Sequence, residues 1–149
     1  SANSLMLECM GVKGPFSFLA EYMNTWVNSS NTGNPKINFF QLATSWFITG
    51  ENRQYNKLTG NQTKIIPNKN FRLKKGGGPG AFELGARYSN TNLNSQGVAG
   101  GQLSRFTGAL SWYPNAHFRL EINYGAASLN KKNLIGQADF WQFRCQFEI

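Results

Sequence analysis

Histidine, acidic residues and long apolar runs are what this sequence has least of. Its 149 residues include one histidine, His117, and two cysteines, Cys9 and Cys145, each among apolar neighbours and without metal-ligand spacing. A His/Cys zinc site or a histidine-based catalytic triad within the chain is therefore not expected. No other constellation points to an enzyme, a metal or a cofactor. No run is long enough for a membrane helix, and the residues from Ser1 onward do not read as a secretory leader. Seven acidic residues stand against 15 Lys and Arg, a formal charge of +8. Such an excess suits an acidic partner: nucleic acid, an anionic solute or a lipid headgroup. The excess is also local. Arg53, Lys57, Lys64, Lys69, Arg72, Lys74 and Lys75 share residues 51–79 with a single anion, Glu51, while the rest of the chain holds eight cations and six anions.

What the chain does have is aromatic residues (14%), glycine, asparagine and serine, the composition of strands joined by polar turns. Its last stretch, Ala138 to Ile149, sets the frame. Trp141, Phe143, Cys145, Phe147 and Ile149 fall on one face, and Gln142, Arg144, Gln146 and Glu148 on the other. Only a strand separates faces with period two. The same alternation marks Ser4 to Val12, Phe16 to Val27, Ile37 to Thr49, Ala81 to Asn90, Leu103 to Tyr113 and Phe118 to Ser128. Turns or loops are expected at Lys13–Pro15, Asn28–Pro35, Thr91–Gln102, Pro114–Ala116 and Asn130–Gln137. A long, basic, turn-rich connection is expected over residues 50–80, ending in Gly76–Gly80. That glycine run lacks the lysine and hydroxyl residue of a phosphate-cradling loop and reads as a flexible turn.

Seven strands of 10 to 12 residues are longer than the ~5–6 usual in soluble sheets and match the ~9–11 tilted residues that span a bilayer. Trp26, Trp46, Tyr88, Trp112 and Trp141 lie near strand ends, where interfacial girdles would sit. A soluble antiparallel barrel or sandwich fits the same alternation. Counting back from a periplasmic C-terminus puts both short turns and residues 50–80 in the periplasm. The first strand then starts at the outer surface, and seven is odd where single-chain bacterial barrels are even. The chain reads as the back end of a longer one.

Four stretches then carry a resemblance: Gly14-Pro15-Phe16-Ser17-Phe18-Leu19-Ala20-Glu21-Tyr22-Met23, Ser45-Trp46-Phe47-Ile48-Thr49-Gly50-Glu51, Ala81-Phe82-Glu83-Leu84-Gly85-Ala86-Arg87-Tyr88-Ser89, and Ser111-Trp112-Tyr113-Pro114-Asn115-Ala116-His117-Phe118-Arg119-Leu120. In wording, spacing and order they resemble the C-terminal part of the phosphate-selective porin O/P family. Ile149 stands where members usually end in Phe. The resemblance implies an all-β, transmembrane antiparallel barrel of 16 strands in the bacterial outer membrane, with residues 1–149 supplying about the last seven. It further implies a homotrimer set in outer-membrane lipid that conducts inorganic anions such as phosphate or polyphosphate and binds no nucleic acid. The family's constriction loop and most of its phosphate-binding cations would lie N-terminal to these residues. The alternative is a soluble or envelope-structural β-barrel binding protein without channel selectivity.

Parity turns Arg87, Arg105, Arg119 and Arg144 to the polar face, where guanidiniums could pass an anion along by charge-assisted hydrogen bonds. Glu8, Glu21, Glu83, Glu121 and Glu148 share that face, so internal ion pairing is the competing expectation. Lys64, Lys69, Arg72, Lys74 and Lys75 of the connection are the other candidates, either concentrating anions at the pore mouth or forming a solvated charge run.

Overall fold

The computed structural model describes residues 1–53, 55–56, 58, 61–95, 97–132 and 134–148, with residues 55–56 and 61–62 given by their backbone. The connection's Lys57 and the chain's Ile149 lie outside the described residues. Seven long strands form one antiparallel sheet: β1 (Ala2–Lys13), β2 (Phe16–Val27), β3 (Lys36–Phe47), β6 (Ala81–Ser95), β7 (Val98–Asn115), β8 (Phe118–Lys131) and β9 (Leu134–Phe147). Two-residue strands β4 (Tyr55–Asn56) and β5 (Asn61–Gln62) pair within the long connection. A single 3-10 turn, Ser30–Thr32, interrupts the loop between β2 and β3. The seven long strands pair in chain order, β3 with β6 across the connection, and among the described residues the sheet is open: β1 pairs with β2 alone and β9 with β8 alone. Cys9 on β1 and Cys145 on β9 are free and exposed.

The register carries the alternation from strand to strand, with one-residue shifts only near the strand ends, past Asn92 in the β6–β7 pair and past Trp112 in the β7–β8 pair. Phe18 sits opposite Thr44, Leu84 opposite Leu110, Leu110 opposite Ile122, and Ile122 opposite Phe143. The outcome is one continuous apolar face. Among the described residues it has no second layer: Phe18, Leu42, Leu84, Leu110, Leu120 and Phe143 all remain exposed, and the buried hydrophobic core is confined to Phe47, Ile65, Ala81 and Tyr113. The chain exposes 10231 Å², against about 7,600 Å² for a compact soluble monomer of its mass. A sandwich would have buried this face against a second sheet. Aromatic residues edge it at both ends. Phe16 stacks on Trp46 (5.8 Å) and Phe82 on Trp112 (6.0 Å) at the rim of the short turns, while Tyr124 tilts against Trp141 (5.0 Å) towards the other rim.

Two expected loops are ladders instead. β6 and β7 run on through most of 91–102 to a turn at Gly97, and β8 and β9 through most of 130–137. Polar side chains stitch the first extension: Asn90 Nδ2 donates to Ser104 Oγ (2.7 Å), and Gly101 N donates to Asn94 Oδ1 (2.9 Å). Asparagine and glycine, read as loop markers, here occupy strand positions with polar groups paired across the ladder.

The long connection is packed rather than loose. Ile65 joins Phe47, Ala81 and Tyr113 in a buried apolar cluster. Glu51, also buried, accepts from Asn68 N (3.0 Å) and from the Thr49 hydroxyl, which itself accepts from Phe82 N (2.9 Å). The glycine run, expected to be flexible, closes a tight loop through Gly77 N to Lys74 O (2.9 Å), Gly78 N to Asn70 O (3.1 Å) and Gly80 N to Lys69 O (3.1 Å). Gly80 is required there on two counts. Its φ is +79°, and a Cβ would lie 2.5 Å from Tyr113 O.

Ile122→Arg, one row inward from the Trp112 girdle on the apolar face, should impair folding into bilayers, since a cation at mid-depth on a lipid face costs about 2–4 kcal/mol. Gln142→Arg, on the opposite face, should fold to near the wild-type yield. Urea titration in vesicles compares them, and equal losses would contradict the assigned faces. Gly80→Ala should destabilise by about 1–2 kcal/mol from the left-handed backbone alone, read as a lower urea midpoint at unchanged slope. A wild-type midpoint would show the connection to be undocked.

Candidate functional site

The concave, polar face of β6 to β9 is built in rows, each row about 7 Å along the strands from the next because same-face residues are two apart. The lowest row has Arg119 opposite Gln146. The next crosses Glu83, Ser111, Glu121 and Arg144; above it lie Gly85, Ala109, Asn123 and Gln142. The fourth crosses Arg87, Thr107, Gly125 and Phe140, and the fifth Ser89, Arg105, Ala127 and Ala138. Arg119, Arg144, Arg87 and Arg105 thus occupy four levels of one groove, of about 340 Å³, joined through Arg53 and Arg119 to a second hollow of about 290 Å³ at the short-turn rim.

Both carboxylates of the groove are already occupied. Glu83 is buried and accepts from Arg53 Nε (3.1 Å) and a second guanidinium nitrogen in an ion pair, and from Tyr113 OH (2.8 Å). Glu121 pairs with Arg119 and accepts from Ser111 Oγ (3.1 Å) and Asn123 Nδ2 (2.8 Å). Burial makes such pairing compulsory, because an unpartnered carboxylate there would lose its hydration without compensation. Arg144 faces Glu121 across the ladder without closing to ion-pair distance. Arg87 is exposed into the groove and has no carboxylate within ion-pair reach among the described residues. Arg105 lies over the Phe140 ring at 4.5 Å, with a buried Nε that has no protein partner; the Thr107 hydroxyl and Arg119 Nε are in the same position. Gly125 makes this stack possible, since any Cβ there would run into the Phe140 ring.

The acidic residues that parity put on this face are mostly elsewhere on it. Glu8 sits opposite Glu21 on the β1–β2 pair, and Glu21 accepts from Gln41 Nε2 (2.9 Å). Glu148 lines the rim hollow. Five guanidiniums, Arg53, Arg87, Arg105, Arg119 and Arg144, therefore meet two carboxylates, Glu83 and Glu121, in the groove. Ion pairing, the competing expectation, accounts for Arg119 and leaves the other three predicted arginines unpaired among the described residues.

The connection's cations divide. Lys64 lines the rim hollow beside His117, whose Nδ1 accepts from Lys64 Nζ (3.1 Å) in one tautomer and donates to Glu148 O (2.9 Å) in the other. Lys69, Arg72, Lys74 and Lys75 are exposed on the loop that covers Trp112 of the apolar face. Arg53 and Phe140 were not singled out from sequence. Phe140 left a signal, as an aromatic residue in step with Gln142, Arg144 and Gln146. Arg53 left none, because nothing periodic in the connection shows which way it turns.

A protein of Caulobacter vibrioides described as uncharacterized is 34% identical over 121 residues, which is 80% of this chain and 23% of that protein. The chain thus spans about a quarter of the length of this relative. The model of the family described as phosphate-selective porin O and P matches residues 2–149. With a seven-stranded antiparallel sheet, an uncovered apolar face and a basic groove, this chain belongs to the phosphate-selective porin O and P family.

Proposed function

We propose that these residues form the closing portion, about seven strands, of a 16-stranded outer-membrane barrel that conducts anions, phosphate among them. The uncovered apolar face supports placement in lipid, and the two open sheet edges support completion by further strands. Backbone groups at such edges need partners in a membrane, where only closed ladders satisfy them. The rim of short turns and of the connection is then periplasmic. The family's usual homotrimer is part of the same proposal.

One observation carries the anion reading: five guanidiniums against two carboxylates in the groove of β6 to β9, with both carboxylates already held by hydrogen bonds. A hydrated anion entering this groove meets donors at successive levels. Arg119 at the rim is partly neutralised by Glu121, while Arg144, Arg87 and Arg105 above it are not. Guanidinium matches phosphate oxygens in a fork, so each level can take the anion before the last releases it. Lys64 adds charge at the rim hollow. Glu83 and Glu121 serve to hold Arg53 and Arg119 in place.

Replacing Arg87, Arg105 and Arg144 together with Gln should lower anion-over-cation permeability several-fold, most at low salt where charges are least screened. Inorganic phosphate should also block chloride current less well than in the wild type. Reversal potentials in a potassium chloride gradient and phosphate titration of the current measure both. Unchanged selectivity with a functional pore would overturn the arginine path and favour an envelope-structural barrel.

A further inference from the structure

Residues 69–80 sit on the outside of the wall. The register places Trp112 opposite Phe82 and Leu120, on the apolar face. Phe71 stands edge-on to the Trp112 ring at 5.1 Å, Trp112 Nε1 donates to Pro79 O (2.8 Å), and Phe71 N donates to Pro114 O (2.7 Å). The loop is thus hooked over the rim and fixed to the aromatic girdle. Its tip carries Leu73, which is 92% exposed, flanked by Arg72, Lys74 and Lys75. Lys69 is exposed at its base, and among the described residues no carboxylate pairs with any of these four cations. Leaving Leu73 in water and four like charges on one short loop is unfavourable on both counts. A bilayer surface relieves both, since the leucine can enter the acyl boundary while the cations meet headgroups.

We propose that residues 69–80 are a binding site for anionic phospholipid headgroups in the leaflet at the short-turn rim. The inference rests on the membrane placement proposed above and not on the pore's selectivity. Charge complementarity selects an anionic lipid. Continuity with the Trp112 girdle puts the site at headgroup depth rather than in the pore. Each cation near an anionic surface strengthens association about fivefold, so the loop should enrich anionic lipid around this stretch of wall.

The test uses the intact protein refolded into phosphatidylcholine vesicles that contain phosphatidylglycerol, with brominated acyl chains on one lipid or the other at equal mole fraction. Tryptophan quenching by the brominated anionic lipid should exceed that by the zwitterionic one. The excess should fall several-fold in Arg72→Gln/Lys74→Gln/Lys75→Gln and persist in Lys131→Gln/Lys132→Gln, which removes two cations at the opposite rim. An equal excess in both variants would overturn the site, as would its loss when inorganic phosphate is added at constant ionic strength, the mark of a free-phosphate site. Loss of oligomeric state with unchanged lipid preference would reassign the loop to a contact between chains. Failure of wild-type protein to enter any bilayer would instead remove the membrane placement itself.

Discussion

A sheet without a second layer has to satisfy its backbone sideways, strand against strand, and every other feature here depends on that ladder. Hydrogen bonding between neighbours fixes register, and register decides which side chains share a face. A slip of one residue at the β7–β8 pair would send Leu110 and Ile122 to opposite faces and break the apolar surface. It would also separate Ser111 from Glu121, and so free the carboxylate that holds Arg119. The apolar face and the charged groove are two readings of one register.

Charge is sorted across the sheet as well as through it. Glu8 and Glu21 gather on β1 and β2, whereas the arginines gather on β6 to β9. Between them lies the row of Glu83, Ser111 and Glu121, the first two buried and the third half-buried, all hydrogen-bonded. Its carboxylates lie at the low end of the groove, anchoring Arg53 and Arg119, and nothing comparable faces the arginines above. The connection strengthens this arrangement from below. Ile65 and Glu51 dock its inner part against Phe47 and the start of β6, while Phe71 takes its later part over the rim. A single basic segment in the sequence becomes two basic surfaces, one on the polar side of the sheet and one over its apolar side.

The strands and their faces were legible wherever one side is apolar and the other polar, because contrast between faces is what period two detects. Past Asn90 and Ser128 polar residues such as Asn92, Gln102 and Asn130 take over the side that is apolar below, the contrast is lost, and these ladder positions look like loop. The four arginines were legible for the same reason, as cations in step with polar neighbours. Their pairing was not. Parity places Glu21 and Glu121 on one face but says nothing of how far apart around the wall they sit. The outcome for Lys69, Arg72, Lys74 and Lys75 was beyond reach too, since no periodicity in the connection reveals that Phe71 finds Trp112.

The central claim is that one face of this sheet meets lipid and the other lines an aqueous path. Cysteine scanning along β8 tests it most directly, in the intact protein with Cys9 and Cys145 replaced by serine and embedded in a bilayer. A charged, membrane-impermeant maleimide should label positions 119, 121 and 123 and leave positions 120, 122 and 124 unlabelled until detergent is added. Uniform labelling along the strand in the bilayer would contradict the account.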